Sequence, residues 1–357
     1  MYTVIFIIFL FIIYILNLRS FGKLPDGNRK LRIKSLPNFN NNALNNISKT
    51  DVKPSNVSYF ELIKRVLLTK HPNKIPRSKL PVKSPNFNLE LPAVTWFGHS
   101  SYLLQLEGMN ILVDPVFGDR ISPFKYLGTK PFPGSKFFNL DNLPPLDVII
   151  ITHDHYDHLD YYTIKWLRNK NVVFITSLGV GEHLEHWGIS SDKIIELSWG
   201  ESYKLPGGFQ FIADSSRHFS GRKFHRNLSL WSAFILKTPK GNFYLGGDSG
   251  YDLHFKETGN KYGPFEMVFL ECGQYNNYWP DIHMFPEQTV SAAKDLKAKI
   301  LFPVHWGKFA LSTHTWSEPA QRVTVAAKEC DMNIVIPYLG ETISIENGYS
   351  NENWWDR

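Results

Sequence analysis

Cysteine is nearly absent from this chain of 357 residues, which contains only Cys272 and Cys330. Two cysteines so far apart provide no paired thiolate ligands for a metal ion, and they do not make a disulfide framework. A metal ion in this protein would therefore have to be bound by histidine and carboxylate side chains. The 13 histidines supply enough nitrogen ligands for such a site.

A strong excess of one charge is also absent. The formal net charge is +6, and much of the basic excess falls near the amino terminus. Such a balance is compatible with an anionic lipid or a phosphorylated partner, and equally with simple solubility. The chain has no basic strip interleaved with aromatic residues, so we expect no nucleic-acid partner.

The chain begins with its longest apolar run, from Met1 to Leu18, which contains no charged residue. This length is marginal for crossing a bilayer, which takes roughly 17 to 25 residues. A cleaved signal peptide would have basic residues before the run and a small-residue cleavage site, and neither is present. Basic residues follow the run, from Arg19 to Lys34. The pattern predicts a single-pass N-terminal membrane anchor at residues 1–18, with the rest of the chain in the cytoplasm.

Composition divides the remainder of the chain into two parts. Residues 19–91 are rich in Asn, Lys, Pro and Ser and are interpreted as a linker or N-terminal wrap with one helix, Tyr59–Leu68. In residues 92–350, short β-branched runs such as Val148–Ile151 and Ile334–Ile336 alternate with turns and with fewer helical stretches. This alternation predicts an α/β (α+β) domain in which two sheets pack face to face with helices outside.

The most informative segment runs from Ile149 to His158 and reads IIITHDHYDH. An apolar strand leads directly into five His or Asp side chains within six positions. Burying so many polar groups without strong partners would cost several kcal/mol, so a structural role explains them poorly. His153 and His155 point the same way in an extended chain, and Asp157 follows where the chain turns into a helix. The segment predicts two histidine ligands for one metal ion, and an aspartate with a histidine for a second.

Three more polar residues come just after other apolar runs. His218 follows Phe209–Ala213, Asp248 follows a run ending at Leu245, and His305 follows a run ending at Val304. Each of them alone is more often an ordinary loop residue than a ligand. Together with the histidine-rich segment they complete two three-ligand sets and one bridging carboxylate.

The motif H-x-H-x-D-H, followed by His, Asp and His at strand ends, resembles the metallo-β-lactamase superfamily over roughly residues 94–345. The resemblance implies an αββα sandwich with a di-metal site between its sheets. It implies one zinc ion held by His153, His155 and His218, a second held by Asp157, His158 and His305, and a bridge between them at Asp248.

Other strings resemble the N-acyl-phosphatidylethanolamine-hydrolysing phospholipase D family, among them TWFGHSS (95–101), ILVDPVF (111–117), GGDSGY (246–251) and PVHWGKFAL (303–311). This resemblance implies a zinc-dependent phosphodiesterase with two zinc ions per chain. Its substrate would be a membrane phospholipid, N-acyl-phosphatidylethanolamine, and its products phosphatidic acid and an N-acylethanolamine. Two metal ions about 3.5–4 Å apart can share a hydroxide for attack on phosphorus. The resemblance also allows a homodimer.

The same resemblance implies further site residues. Tyr126 matches a tyrosine near the substrate phosphate, and its neighbour Lys125 stands where the family has glutamine, as a point charge that can contact phosphate. His283 matches a histidine beside the metals, with a catalytic or substrate-binding role. The family usually has an acidic residue two positions after this histidine, and this chain has Phe285 there. Asp248 would act catalytically as well, by orienting the nucleophile and taking its proton.

Asp114 and His99 are expected to support the ligands, because a metal-bound histidine usually needs a partner for its other ring nitrogen. A turn before Pro115 and simple packing are the competing interpretations of these two residues.

Alternatives to a phospholipase remain open at this stage. A metal-dependent lactonase of the same superfamily shares the GHSS string and the histidine pattern, but it would need neither the anchor nor Tyr126. A non-catalytic binding protein on the same scaffold would have no need of Asp248.

Overall fold

The computed structural model describes residues 2–54, 56–89, 92–346 and 352–356. The helices are α1 (Tyr2–Leu16), α2 (Gly27–Lys34), α3 (Tyr59–Ile63), α4 (Tyr161–Leu167), α5 (Gly181–His186), α6 (His254–Tyr262), α7 (Pro286–Asp295) and α8 (Glu318–Glu329). The strands are β1 (Phe39–Asn40), β2 (Ala43–Leu44), β3 (Ala93–Trp96), β4 (Tyr102–Leu106), β5 (Met109–Val113), β6 (Val148–Ile151), β7 (Val173–Ser177), β8 (Ile194–Leu197), β9 (Ser202–Lys204), β10 (Gln210–Ser215), β11 (Gly221–Arg222), β12 (His225–Arg226), β13 (Ser232–Thr238), β14 (Gly241–Leu245), β15 (Met267–Glu271), β16 (Leu301–Val304) and β17 (Thr342–Ser344).

Two mixed sheets form the body of the domain. The first has seven strands in the order β17–β3–β4–β5–β6–β7–β8, and the second has six in the order β16–β15–β14–β13–β10–β9. Strands β5 to β8 run parallel in the first sheet, as do β14 to β16 in the second. The carboxyl ends of these parallel strands therefore gather at one edge of each sheet.

Strand β6 shows how the layers are built. All four of its residues are β-branched and buried, as expected for a strand covered on both faces. Val148 and Ile150 belong to the core between the sheets, whereas Ile149 and Ile151 pack with residues of α4 and α5 on the outer face. Between the sheets, the rings of Tyr102 and Phe269 stack at 4.2 Å. The predicted sandwich of two sheets with outer helices is confirmed.

Some predicted elements differ from the structure. Ile334–Ile336 was expected to form a strand, but these residues form none in the structure, and Ile334 is joined to Leu301 by an isolated bridge. Strands β9 and β17 and helix α2 had no counterpart in the prediction, because their polar composition gives no clear apolar period.

The predicted single-pass membrane anchor, with a cytoplasmic domain behind it, is wrong. No helix in the described ranges is long and apolar enough to span a bilayer. Helix α1 has 15 residues, so it extends about 22 Å, whereas the hydrocarbon core is about 30 Å thick. The apolar run looked longer in sequence because Asn17 and Leu18 were counted with it. In the structure the chain leaves the helix there and enters a short 3-10 helix, Arg19–Phe21, in which Ser20 is buried.

The segment that follows α1 lies against the domain. Arg29 of α2 forms ion pairs with Glu182 (2.6 Å), Glu185 (2.8 Å) and Glu196 (2.5 Å). Ile33 and Leu44 are buried in a small apolar cluster with residues of the domain. Helix α2 is therefore held by both charge and packing.

Candidate metal centre

The loop between β6 and α4 carries the histidine-rich string, and Asp114 at the end of β5 supports it. Asp114 Oδ1 accepts a hydrogen bond from the Thr152 backbone N–H (2.8 Å), and Oδ2 accepts one from the Thr152 hydroxyl (2.6 Å). Asp114 Oδ2 also lies 2.7 Å from Nδ1 of His158. All three residues are buried. The ring of His158 is therefore oriented by its neighbours, with Nε2 as the nitrogen left for a ligand role.

One group of ligand atoms comes from His153, His155, His218 and Asp248, and these atoms lie within 4.8 Å of one another. His155 Nδ1 is 3.0 Å from His153 Nε2 and 3.2 Å from His218 Nε2. Asp248 Oδ2 is 3.6 Å from His218 Nε2 and 3.8 Å from His153 Nε2. Three imidazoles and one carboxylate that converge in this way fit the nitrogen and oxygen ligand set of a transition metal ion.

The other group comes from Asp157, His158 and His305, with His99 in the same cluster. The second oxygen of Asp248, Oδ1, lies 3.2 Å from His158 Nε2 and 3.1 Å from His305 Nδ1. Asp248 thus stands between the two groups with one oxygen toward each. Among the described residues, His158 Nε2 and Asp248 Oδ1 are buried without a hydrogen bond, which suits atoms that donate lone pairs to metal ions.

Burial and neighbouring charges set the protonation of these ligands. Burial holds the pKa of His153 and of His218 well below the usual range, so both imidazoles are neutral as metal binding requires. Burial opposes the charge of Asp248, but the neighbouring His158 outweighs it and lowers the pKa of Asp248 to about 2. The pKa of Asp157 is also lowered, because His158 and His99 together overcome the effect of burial. Ionised carboxylates and neutral imidazoles are the forms that bind a metal ion. His158 is the exception: burial opposes its charge, but Asp248, Asp114 and Asp157 outweigh burial and raise the pKa of His158, so its ring must lose a proton when a metal ion binds.

Further contacts orient the side chains of the proposed ligands. His99 Nε2 lies 2.9 Å from Asp157 Oδ2, and the hydroxyl of Ser100 lies 3.0 Å from His305 Nδ1. His218 donates from Nδ1 to the backbone carbonyl of Ile282 at 2.9 Å. The two residues proposed as supports, Asp114 and His99, therefore each contact a proposed ligand.

A family profile described as a beta-lactamase superfamily domain matches residues 109–306, more than half of the chain. The chain belongs to the metallo-β-lactamase superfamily. An uncharacterized protein of Mycobacterium tuberculosis is 36% identical over 329 residues, which is 89% of this chain and 87% of that relative. The N-acyl-phosphatidylethanolamine-hydrolyzing phospholipase D 1 of Caenorhabditis elegans is 32% identical over 76% of this chain and 82% of its own length.

Among solved structures, Igni18, a metallo hydrolase from Ignicoccus hospitalis, matches with a TM-score of 0.55 at 21% identity. The match covers 70% of this chain and 97% of Igni18, and it shows a shared fold. The resemblance seen in the sequence is confirmed at the level of the superfamily. This superfamily member is a metal-dependent hydrolase.

Two residues that the phospholipase D resemblance places near the phosphate lie on the surface of this metallo-β-lactamase fold. Tyr126 is 76% exposed, and Lys125 Nζ lies 5.4 Å from the centre of its ring. In the described part of the chain, neither side chain has a hydrogen bond or ring contact with the histidine cluster. Their loop is instead tied to the N-terminal segment, since Phe21 and Phe124 meet edge to face at 5.6 Å.

His283 does lie at the metal centre. Its ring centre is 5.0 Å from that of His218 and 5.3 Å from that of His305, so it touches both ligand groups. Its Nδ1 lies 2.7 Å from Oε2 of Glu271, the last residue of β15. Burial opposes the charge of His283, but the Glu271 carboxylate outweighs it and raises the pKa of His283 to about 9.

Glu271 was not anticipated from the sequence. It ends the apolar run MVFLE at residues 267–271, which is the same pattern that pointed to Asp248: a single carboxylate just where a buried strand stops. The side chain is 1% exposed, and its ligand atom clusters with those of Asp248, His283 and His305.

Proposed function

We propose that this protein is a zinc-dependent phosphodiesterase that hydrolyses N-acyl-phosphatidylethanolamine to phosphatidic acid and an N-acylethanolamine. The observation that carries the proposal is the position of Asp248, with one oxygen toward each of two histidine groups. The similarity to the Caenorhabditis elegans phospholipase D supports the substrate class.

The proposed metal set is two zinc ions. His153, His155 and His218 would hold one, Asp157, His158 and His305 would hold the other, and Asp248 would contact both. Nitrogen-rich sites without thiolates suit zinc. When bound, such a pair supplies a water-derived nucleophile at neutral pH and neutralises charge on a phosphodiester.

The chain's own residues would then divide the remaining work. Asp248, ionised at neutral pH, can hold the nucleophile in line and receive its proton at a carboxylate oxygen. His283 stands beside both ligand groups, where it can contact a leaving-group oxygen. Lys125 and Tyr126 offer an ammonium and a phenol at the surface, which suits a substrate whose phosphate enters from a lipid layer.

A product analysis tests this proposal. Zinc-loaded protein is incubated in ¹⁸O-labelled water with vesicles of N-acyl-phosphatidylethanolamine, with vesicles of phosphatidylcholine, and with a panel of lactones. Phosphatidic acid that carries ¹⁸O is expected from the first vesicles, and protein treated with chelator serves as the blank. Diacylglycerol would place the cut on the other side of phosphorus and contradict the proposal. Lactone hydrolysis without lipid turnover would favour a lactonase.

A further inference from the structure

His283 reaches the metal centre from the turn between β15 and α7, so something must fix the direction of its ring. A free imidazole can rotate and can carry its proton on either nitrogen. Which nitrogen faces a site is set by the hydrogen bond that the other one makes. In this structure that bond joins Nδ1 to Oε2 of Glu271 at 2.7 Å.

Glu271 is itself fixed by hydrogen bonds to its side chain and to its backbone. Its Oε1 accepts a hydrogen bond from the backbone N–H of Ser249 (2.6 Å), and its backbone carbonyl accepts one from the Thr289 hydroxyl (2.6 Å). Oε2 is the oxygen that faces His283. Since each carboxylate oxygen already has a partner, the side chain is placed to orient an imidazole rather than to bind a metal ion.

The residue two positions after His283 cannot supply such a carboxylate. The phospholipase D pattern has an acidic residue two positions after the histidine, and this chain has Phe285 there. The ring of Phe285 packs 5.1 Å from that of Tyr275, and the Arg322 guanidinium lies 5.7 Å above it. Position 285 is therefore part of the packing beneath α7 and α8.

We propose that Glu271 is the positioning residue of His283: its carboxylate, at the end of β15, holds Nδ1–H of His283 toward Oε2. Nε2 is then the nitrogen presented to substrate. The proposal deepens the proposed function and rests on it only for the identity of that substrate.

The direct test is the tautomer of His283 in zinc-loaded protein labelled with ¹⁵N-histidine. Long-range ¹H–¹⁵N spectra, recorded above the pKa of His283 so that its ring carries one proton and assigned with a His283→Asn variant, should show that proton on Nδ1 in the native protein. Glu271→Gln should shift it, because an amide that keeps its oxygen for Ser249 must donate its NH₂ to Nδ1. A native spectrum with the proton on Nε2 alone would overturn the proposal, and this measurement needs no substrate.

Metal content and kinetics complete the test. Glu271→Gln should keep its full zinc content and lose about 10- to 100-fold in kcat with KM little changed, the range for a lost orienting partner. Glu271→Gln combined with His283→Asn should be no slower than His283→Asn alone, since the two residues act as one unit. Glu287→Gln removes an exposed carboxylate that pairs with Arg322 and should leave activity unchanged. Loss of zinc in Glu271→Gln, or additive losses in the double variant, would overturn the proposal.

The two proposals fail separately. Rates can be followed on bis(p-nitrophenyl) phosphate, a general phosphodiester probe, if the lipid is not turned over. Absence of lipid turnover would contradict the proposed function, while the tautomer and the zinc content would still decide the role of Glu271.

Discussion

The histidine-rich loop and the N-terminal segment at residues 19–54 both surround the metal centre, but they contribute in different ways. The loop presents ligand atoms from His153, His155, Asp157 and His158 within six consecutive positions. The N-terminal segment presents no atom to the ligand groups and holds the backbone behind them. A site whose ligands are close together in the sequence can therefore be predicted from the sequence. A supporting segment that depends on contacts between distant residues cannot.

Two contacts show what the N-terminal segment holds. The buried guanidinium of Arg222 donates to the backbone carbonyls of Ser20 (2.8 Å) and Asp154 (2.8 Å), so it joins the segment to the metal-binding loop. Asn46 donates from Nδ2 to the carbonyl of His218 (2.7 Å) and accepts from its backbone N–H (3.1 Å). Both contacts therefore bind the backbone at or beside a proposed ligand.

Asp248→Asn is expected to have the largest effect, because it removes a bridging charge from the ligand groups. Turnover should fall by about 10³-fold, the upper range for removing one group that stabilises charge in a transition state, and metal content should fall with it. Steady-state kinetics and metal analysis measure the two losses. Asp331→Asn, an exposed residue after α8, is the control. Retained metal and turnover in Asp248→Asn would remove this residue from the centre.

Arg222→Met tests the joint between the two regions. The substitution leaves the carbonyls of Ser20, Asp154 and Leu159 without their donor, so the free energy of unfolding should fall by about 3 kcal/mol. Denaturant titration measures the loss. Arg226→Met changes an exposed arginine of β12 and should cost far less. Equal stability of the two variants would mean that Arg222 does not support the loop.

Arg29→Ala addresses the N-terminal segment alone. Three ion pairs to Glu182, Glu185 and Glu196 are lost, but they are partly exposed and screened, so we expect about 1–2 kcal/mol. Hydrogen exchange should rise in α2 while zinc content stays constant. Lys30→Ala, at the exposed neighbouring position, is the control. Unchanged exchange in Arg29→Ala would show that these ion pairs are not needed to hold the helix.

Tyr126→Phe should have the smallest effect. The side chain is exposed in this structure. Loss of a single hydrogen bond to a phosphate costs roughly 1–2 kcal/mol, which corresponds to a decrease in kcat/KM of about 5- to 30-fold. Turnover of the lipid and of bis(p-nitrophenyl) phosphate by the variant and the native protein measures this decrease. Tyr162→Phe, at a partly exposed tyrosine, is the control. A loss on both substrates would place the hydroxyl at the reacting phosphate, whereas no loss on the lipid would exclude it from binding.

The sequence was sufficient for those parts of the molecule that depend on local pattern. Strand β6 was predicted with its observed bounds because four consecutive β-branched residues strongly favour a buried strand. The positions just after β10, β14 and β16 could be proposed as ligands because a polar residue there interrupts an apolar run. These features need only neighbours in the chain.

What the sequence could not provide depends on partners far apart. Helix α2 has a polar composition, and its attachment became visible only when Arg29 met carboxylates more than 150 residues away. Glu271 appeared as one acidic residue among many until β15 placed it beside His283. For helix α1 the sequence led to too much being predicted. Hydropathy identified an apolar segment, but it did not show where the helix ends.

The alternation of residues in β6 has a consequence for how this protein can change over evolutionary time. Because successive residues face opposite sides of the sheet, losing or gaining one residue within β6 would exchange its two faces and turn His153 and His155 out of the centre. Connections that carry no ligand and no support for one, such as the exposed turn at residues 239–240 between β13 and β14, have no such constraint. Insertions and deletions should therefore accumulate in connections of that kind, while the strand keeps the positions of the ligands fixed.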